Sequence, residues 1–375
     1  MAAERHHQSA NDSTVHPGIL HHYNHKKNLV AFQYSSSGPA SSSTRPQASS
    51  TSPVILLFIG GLGDGLLSVP YVQKLADRAA CSPPDQLDTS SDGKPIDREV
   101  LVVQALLSSS YAGWGTGSVS RDRAEIIDCM EYFQALYTSR DLVAQGVEGL
   151  GTSVGTGEVK LREREQRWDG VRFVLMGHST GCQDLVALAQ SMYSNESRWD
   201  GIWAVILQAP VSDREALPMR MAPRDIDLGL EAAKQMIAAG RGDTILSPSL
   251  IPGFADGTCV SAARFYSLAS TDSDEEDYFS SDLTDEKLEA IFGLFAEGGT
   301  DVLVLESEKD EHVPGWVNKE LLLDRWERAA KKVGTNLRAE MVRGASHSLK
   351  GDREDIVMGM VDRVWRLIRE VATGR

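Results

Sequence analysis

The sequence predicts an α/β fold with a mostly parallel central sheet flanked by helices. From residue 54 onward, short apolar runs alternate with longer segments whose apolar residues recur at helical spacing. The short runs are apolar throughout rather than at every second position, which is typical of parallel strands covered on both faces. Alternating strands and helices of this kind build a parallel sheet with a helix in each connection.

The composition argues against several classes of function. The chain has 375 residues, with 38 Lys and Arg against 53 Asp and Glu, which gives a net charge of −15. This surplus of carboxylates disfavours nucleic acid as a partner, because phosphate binding needs clustered cationic charge. The N-terminus lacks the apolar core of a signal peptide and no stretch has the ~20 apolar residues of a membrane span, which predicts a cytoplasmic protein without a membrane partner. The four cysteines lie far apart and predict reduced thiols rather than a zinc site.

The first part of the chain is predicted to contain a tail, a hairpin and a loop. Residues 1–17 are polar and predict a disordered tail. Apolar runs on both sides of His25–Asn28 predict a β-hairpin over Ile19–Tyr34. Residues 35–52 are rich in Ser, Pro and Gly, which predicts a linker or long loop.

The parallel sheet and its helices follow from residue 54. The predicted strands are Val54–Ile59, Val100–Leu106, Val171–Met176, Trp203–Gln208, Val302–Glu306 and Arg338–Val342. Apolar residues near helical spacing predict a helix over Arg121–Tyr137, and the same pattern over Ile356–Ile368 predicts the last helix. Both helices are expected to face the core.

Two segments interrupt this alternation and define the predicted domains. Residues 146–170 are rich in Gly and in charge, which predicts a surface insertion. Residues 213–300 are far longer than a normal connection between strands, so they are predicted to form a helical cap. The core is then built from residues 18–212 and 301–375.

A nucleophile motif lies between one predicted strand and the helix after it. The apolar run Val171–Met176 leads into Gly177-His178-Ser179-Thr180-Gly181, and a helical pattern follows. Small residues around a serine permit a tight strand-to-helix turn that exposes the hydroxyl, the nucleophile elbow. The five-residue pattern is common by chance in a chain with 33 glycines, so the flanking strand and helix carry the prediction. Ser179 is the predicted nucleophile, and Asp184 is expected to support the turn through hydrogen bonds.

A serine hydroxyl needs a base, and the base needs an acid that orients it. Only three of the nine histidines lie beyond the N-terminal hairpin, and His347 falls between the last predicted strand and the last helix. Asp310 falls in the turn after the preceding strand. Ser179, Asp310 and His347 therefore follow the chain order serine, acid, histidine of a hydrolase triad. Glu306, Glu308 and Glu311 remain rival acids, and His312 remains a rival base.

Two backbone amides are predicted to bind the oxyanion of the tetrahedral intermediate. Thr180 supplies one, because it follows the nucleophile. Leu62 supplies the other, because it lies in the glycine-rich loop Gly60–Gly65 after the first parallel strand. The glycine spacing misses the dinucleotide pattern by one residue and no Gly-Lys-Ser/Thr follows, which disfavours a nucleotide site. No cofactor and no metal ion are predicted, because the chain offers no convincing ligand cluster.

Three stretches of the sequence resemble a known family. Gly60–Gly65, Gly177–Asp184 and Asp277–Leu283 together are similar to the fungal siderophore esterases, intracellular α/β-hydrolases whose characterised members cleave fusarinine-type siderophores. The resemblance spans roughly residues 18–370. It implies the α/β-hydrolase fold and hydrolysis of the small-molecule ester fusarinine C or its triacetylated, iron-loaded form, which releases hydroxamate units and frees iron. Any iron would be carried by the substrate.

Two other functions remain open on the sequence alone. The same triad serves lipases, thioesterases and peptidases that act on other acyl groups. A hydrolase-fold protein with a vestigial triad would instead bind a ligand without cleaving it. Residues 272–289 hold nine acidic residues and one Lys, a local net charge of 1 − 9 = −8. One hypothesis is that this stretch forms an acidic rim that attracts the free amines of fusarinine C and attracts the acetylated form less.

Overall fold

The central sheet has eight strands within the described part of the chain. The computed structural model describes residues 15–36, 52–80, 98–144, 170–194, 201–254, 257–271 and 276–374. The strands are β1 (Gly18–Asn24), β2 (Leu29–Tyr34), β3 (Val54–Ile59), β4 (Val100–Ala105), β5 (Arg172–His178), β6 (Ile202–Gln208), β7 (Asp301–Ser307) and β8 (Leu337–Val342). Their order across the sheet is β1-β2-β4-β3-β5-β6-β7-β8.

The six strands predicted from residue 54 onward are confirmed to within two residues at each end. Strands β3 to β8 run parallel to one another, and β1 and β2 form an antiparallel hairpin that joins the sheet beside β4. The predicted hairpin is therefore also present, with its turn at residues 25–28. Every residue of β3 and of β6 is buried, which explains why these runs carry no polar alternation.

Nine α-helices accompany the strands in the described ranges. They are α1 (Tyr71–Ala80), α2 (Val119–Ala144), α3 (Gly181–Ser194), α4 (Asp213–Ala216), α5 (Pro223–Ala238), α6 (Ala262–Ala269), α7 (Asp285–Gly298), α8 (Lys319–Lys332) and α9 (Glu354–Gly374). Helices α2 and α9 confirm the two helices predicted from apolar spacing and extend beyond them. No described helix is both long enough and apolar enough to span a bilayer.

The helices cover both faces of the sheet. On one face, α2, α3, α7 and α8 pack over a core that includes Phe133 and Trp326. On the other face, α1 and α9 pack over a second core that includes Tyr71 and Met360. This three-layer arrangement is the predicted fold class, and it places the carboxyl ends of the parallel strands at one edge of the sheet.

The predicted cap, residues 213–300, divides between two apolar clusters. Helices α5 and α6 pack into a separate cluster with Trp114 and Leu62, whereas α7 packs into the main core against α3 and α8. The division into core and cap stays a prediction. Most of the predicted tail (1–17), of the 35–52 loop and of the 146–170 insertion lies outside the described residues.

Candidate active site

Ser179 lies in a strained turn between β5 and α3. Its φ angle is +55°, in the left-handed region that a serine rarely adopts. Both flanking glycines are required, because a Cβ added to Gly177 would lie 2.5 Å from the Gly181 carbonyl oxygen, and one added to Gly181 would lie 2.6 Å from the Ile59 carbonyl oxygen. The backbone therefore has the strand-turn-helix shape that the motif predicts.

Asp310 and His347 meet after the last two strands. Asp310 lies in the turn after β7, and His347 lies in the loop between β8 and α9. His347 Nδ1 donates to Asp310 Oδ2 over 2.7 Å, and both residues are buried. The backbone amide of His312 donates to the other carboxylate oxygen over 2.8 Å. With its proton on Nδ1, the His347 ring has Nε2 available as a base.

The environment of Asp310 keeps it ionised. Burial by itself would raise the pKa of the Asp310 carboxyl, but the hydrogen bond and charge of His347, together with the His312 amide, outweigh burial and hold the pKa below its ordinary value. In a serine hydrolase triad, an ionised acid accepts a hydrogen bond from Nδ1–H and stabilises the imidazolium that forms when Nε2 takes a proton.

Gln208, at the end of β6, connects the serine turn to His347. Its carbonyl oxygen accepts from the Ser179 amide over 3.0 Å, and its Nε2 donates to the His347 carbonyl oxygen over 3.2 Å. Its Oε1 accepts from His178 Nδ1 over 2.6 Å and from the Tyr71 hydroxyl over 2.7 Å. A single buried side chain thus fixes both loops relative to β6.

Two other histidines flank the His347 ring. The His178 ring centroid lies 4.8 Å from it, and the His312 centroid lies 4.5 Å from it. Burial, followed by the charge of His347, lowers the pKa of His178 to about 4, so His178 is neutral near neutral pH. Burial likewise lowers the pKa of His312. Neither neighbour therefore competes as a cation.

Ser179 and His347 both lie at the carboxyl edge of the sheet, after β5 and β8. Within the described part of the chain, the structure shows no hydrogen bond between their side chains. Ser179 directly follows His178 in the chain, and the His178 ring is tilted by 47° against the His347 ring. A serine and a histidine that act together in catalysis need a hydrogen bond between the hydroxyl and Nε2. Such hydrogen bonds are often long without substrate and tighten when it binds.

The rival acids have other partners. Glu308 accepts from Arg343 and from the Gly344 amide over 2.8 and 2.7 Å. Glu311 accepts from the backbone amide of His347 over 3.0 Å, not from its ring. Glu306 is buried 3.8 Å from Lys319 Nζ, and burial, followed by the charge of Asp310, raises its pKa to about 8. Of the four candidate acids, Asp310 is the one bonded to the His347 ring.

The glycine-rich loop lies directly against the serine. A Cβ added to Gly61 would lie 2.6 Å from Ser179 Cβ. Asp64 holds this loop, because its Oδ2 accepts from the Gly61 amide over 2.8 Å. The amides of Leu62 and Thr180 have no acceptor among the described residues, and both residues line one cavity beside Ser179. This is the arrangement that an oxyanion site needs.

A group of buried charges lies on the far side of this cavity. Arg264 donates through Nη1 to Glu276 and through Nε to the Trp114 carbonyl oxygen over 3.0 Å. Asp122 and Asp184 also line the cavity. Asp184 was expected to support the serine turn, but its carboxyl accepts no hydrogen bond from the described residues and lies in this group instead. No set of three or more His, Cys, Asp or Glu in the described ranges has a metal-binding arrangement.

The described part of the acidic stretch is exposed only in part, since Asp282, Asp285 and Glu286 are exposed whereas other members are buried or paired. Glu276 is buried against Arg264, and Asp277 accepts from Arg214 Nε over 2.9 Å. Asp282 also pairs with Arg214. The sequence-based charge count omitted these arginines, because they come from other parts of the chain. Residues 272–275 lie outside the described residues.

Sequence reasoning missed Gln208 and the buried ion pair of Arg264 and Glu276. Gln208 carried a signal, since it is a polar residue at the end of an otherwise apolar predicted strand. Arg264 lies in the eight-residue helix α6 and Glu276 in an acidic run, and nothing in the spacing of either indicated burial.

Comparisons with known proteins agree with this fold. A family model described as "Protein of unknown function (DUF1749)" matches residues 9–162 and 160–369. The fusarinine C esterase sidJ of Aspergillus fumigatus is 32% identical, over 90% of each chain. An esterase of Emericella nidulans is also 32% identical, over 95% of this chain and 93% of that protein. The structure of siderophore hydrolase EstB from Aspergillus fumigatus is similar at 28% identity and a TM-score of 0.67, covering 96% of this chain and 99% of that one.

Proposed function

Because the chain belongs to the DUF1749 family and has the α/β-hydrolase fold, we propose that it is a serine esterase of fusarinine-type hydroxamate siderophores, with fusarinine C or its triacetylated form as substrate. The chain is a carboxylic ester hydrolase. Two esterases are each 32% identical to it, over 90% or more of its length. Cleavage of the siderophore ester would release iron inside the cell. Cytoplasmic location stays a prediction of the sequence.

The proposed chemistry proceeds through an acyl-enzyme. His347 Nε2 takes the proton of the Ser179 hydroxyl as Oγ attacks the ester carbonyl. The carbonyl oxygen becomes an oxyanion, which accepts hydrogen bonds from the amides of Leu62 and Thr180. The intermediate collapses, the ester C–O bond breaks, and His347 returns the proton to the departing alcohol. Water then attacks the acyl-enzyme by the same route, and the acid leaves with Ser179 restored.

One observation supports this assignment most strongly. The buried bond of 2.7 Å between His347 Nδ1 and Asp310 Oδ2 joins two loops that are far apart in sequence, and it lies beside the strained turn at Ser179. A catalytic histidine requires an ionised partner on Nδ1 and a serine turn nearby, whereas a histidine that only stabilised its loop would require neither. The 32% identity to a fusarinine C esterase supports the substrate class.

Fragment analysis by mass spectrometry tests the proposal. The chain is incubated with fusarinine C and with its triacetylated form, each with and without iron, and the products are weighed. Linear fragments heavier by one water per cleaved ester are expected from the wild type. A Ser179→Ala variant should lose nearly all of this activity, whereas Ser249→Ala, which alters an exposed loop, should keep it.

The outcomes separate the candidate functions. One outcome is that the chain reacts with a fluorophosphonate and yet leaves the siderophores intact after long incubation. This result would contradict the proposed substrate and would indicate a hydrolase of other acyl groups. A chain that neither cleaves esters nor reacts with a fluorophosphonate would contradict the enzyme itself and favour a binding protein. Full activity of Ser179→Ala would remove Ser179 from the mechanism.

A further inference from the structure

A small cavity lies directly beyond the proposed oxyanion site. Its lining includes the glycine-rich loop residues Gly60, Gly61 and Leu62, together with Thr180 and Gln183. It has room for a group about the size of one water molecule. Any group bound there lies only a few bonds from an ester carbonyl held between the amides of Leu62 and Thr180.

Two residues of the lining have buried acceptor atoms that lack donors. Gln183 is 2% exposed, and its Nε2 donates to Asp213 Oδ2 over 2.9 Å and to the Val211 carbonyl oxygen over 3.2 Å. These two bonds fix which end of the amide is the oxygen, and that Oε1 has no donor within the described part of the chain. Asp122 Oδ1 also lacks a donor there, because Arg121 Nε, itself without an acceptor in the described ranges, lies 3.9 Å away, beyond hydrogen-bond distance.

Four carboxyl groups near the cavity outnumber two guanidinium groups, those of Arg121 and Arg264. Asp122, Asp184, Asp213 and Glu276 surround Arg264, and Arg264 is already bonded to Glu276 and to the Trp114 carbonyl oxygen. Burial is the largest cause that raises the pKa of Asp122 to about 6 and of Asp213 to about 7. Burial, followed by the charge of Asp122, raises the pKa of Asp184 well above its ordinary value. Burial thus favours the neutral acids here, and a cation bound beside these carboxyl groups would stabilise their ionised form.

We infer that this cavity is a subsite for a protonated amine on the acyl part of the ester substrate. The observed acceptors call for a donor, the excess carboxyl groups call for a positive charge, and an ammonium group is about as large as a water molecule. Gln183 Oε1, Asp122 and Asp184 hold the ammonium group, and the ester carbonyl then lies between the Leu62 and Thr180 amides. The inference rests on the proposed function for the position of the ester, and it predicts a preference for acyl groups with a free amine.

Matched substrates test the subsite. The p-nitrobenzyl esters of alanine and of N-acetylalanine differ by the charge of the amine. Wild-type kcat/KM is expected to favour the free amine by about tenfold or more, the value of one hydrogen bond to a charged group. Asp184→Asn and Asp122→Asn keep the shape and remove a carboxyl group, and each should abolish most of this preference, measured as the ratio of kcat/KM for the two esters in the same variant. Asp227→Asn, on the exposed side of α5, is the matched control and should retain the preference.

Binding of the amine alone provides a readout that does not require ester cleavage. Ethylammonium chloride should raise the melting temperature of the wild type in a saturable manner relative to KCl at equal ionic strength, and Asp184→Asn should lose this rise. An equal effect of KCl, or no saturable rise together with no preference between the two esters, would overturn the subsite. If neither ester is cleaved but ethylammonium stabilises the wild type and not Asp184→Asn, the proposed function fails and the subsite stands.

Discussion

Replacing Gly61 by alanine tests the placement of the glycine-rich loop against Ser179. An added Cβ would lie 2.6 Å from Ser179 Cβ and 3.0 Å from the His178 carbonyl oxygen. Ordinary contact begins at 3.4 Å, so the loop or the serine must move by 3.4 − 2.6 = 0.8 Å. A displacement near 1 Å at a reacting centre costs about a hundredfold in rate, which corresponds to about 2.7 kcal/mol of transition-state stabilisation.

The assay is hydrolysis of p-nitrophenyl acetate by wild type, Gly61→Ala and Gly315→Ala. Gly315 is exposed, and a Cβ added there meets no atom within 4 Å, so this variant controls for the change from glycine to alanine. We expect kcat/KM to fall about a hundredfold in Gly61→Ala and to stay near the wild-type value in Gly315→Ala. Circular dichroism checks that both are folded. A folded Gly61→Ala variant within twofold of wild type would refute the position of this loop in the site.

Two further predictions concern the acid and its buried neighbour. Asp310→Asn should lower kcat by about 10⁴-fold in the same assay, because an amide cannot hold the His347 tautomer or stabilise its cation. Glu308→Gln should leave kcat unchanged. Equal losses in the two variants would contradict the choice of Asp310 over Glu308 as the acid. Glu306 has a pKa raised from 4.5 to about 8, so its protonated form favours the folded state at low pH, and that stability is lost as the pH rises toward 8. Between about pH 5 and pH 7, urea unfolding should show the wild type losing about 2–3 kcal/mol relative to Glu306→Gln, and parallel pH profiles would contradict a buried, protonated Glu306.

Local sequence patterns predicted much of the fold because the central strands β3 to β7 are buried on both faces. The apolar run Val54–Ile59 carries no polar residue, and its boundaries in the structure coincide with the prediction. The glycines around Ser179 were equally informative, since only residues without a Cβ fit between the turn and the neighbouring strand. Asp310 was separated from its rival acids by its position in the turn after β7 rather than by composition.

The missing parts of the site depend on contacts between distant segments. Gln208 binds His178 and Tyr71 at separations of 30 and 137 residues, and no local pattern encodes such a meeting. Asp184 was expected to support the serine turn because the two are close in sequence. In the structure, Asp184 on α3 instead lines the same cavity as Arg264 on α6. The two residues are far apart in sequence, so no local pattern predicts that they meet.

The central claim is that the hydroxyl of Ser179 becomes covalently attached to the acyl group. Treatment of the full chain with a fluorophosphonate, followed by digestion and mass spectrometry of the peptides, tests this directly. The account predicts one stoichiometric adduct on Ser179, formed much more slowly in a His347→Ala variant. An adduct on another residue, or an unmodified Ser179 in an enzyme that still hydrolyses esters, would contradict it.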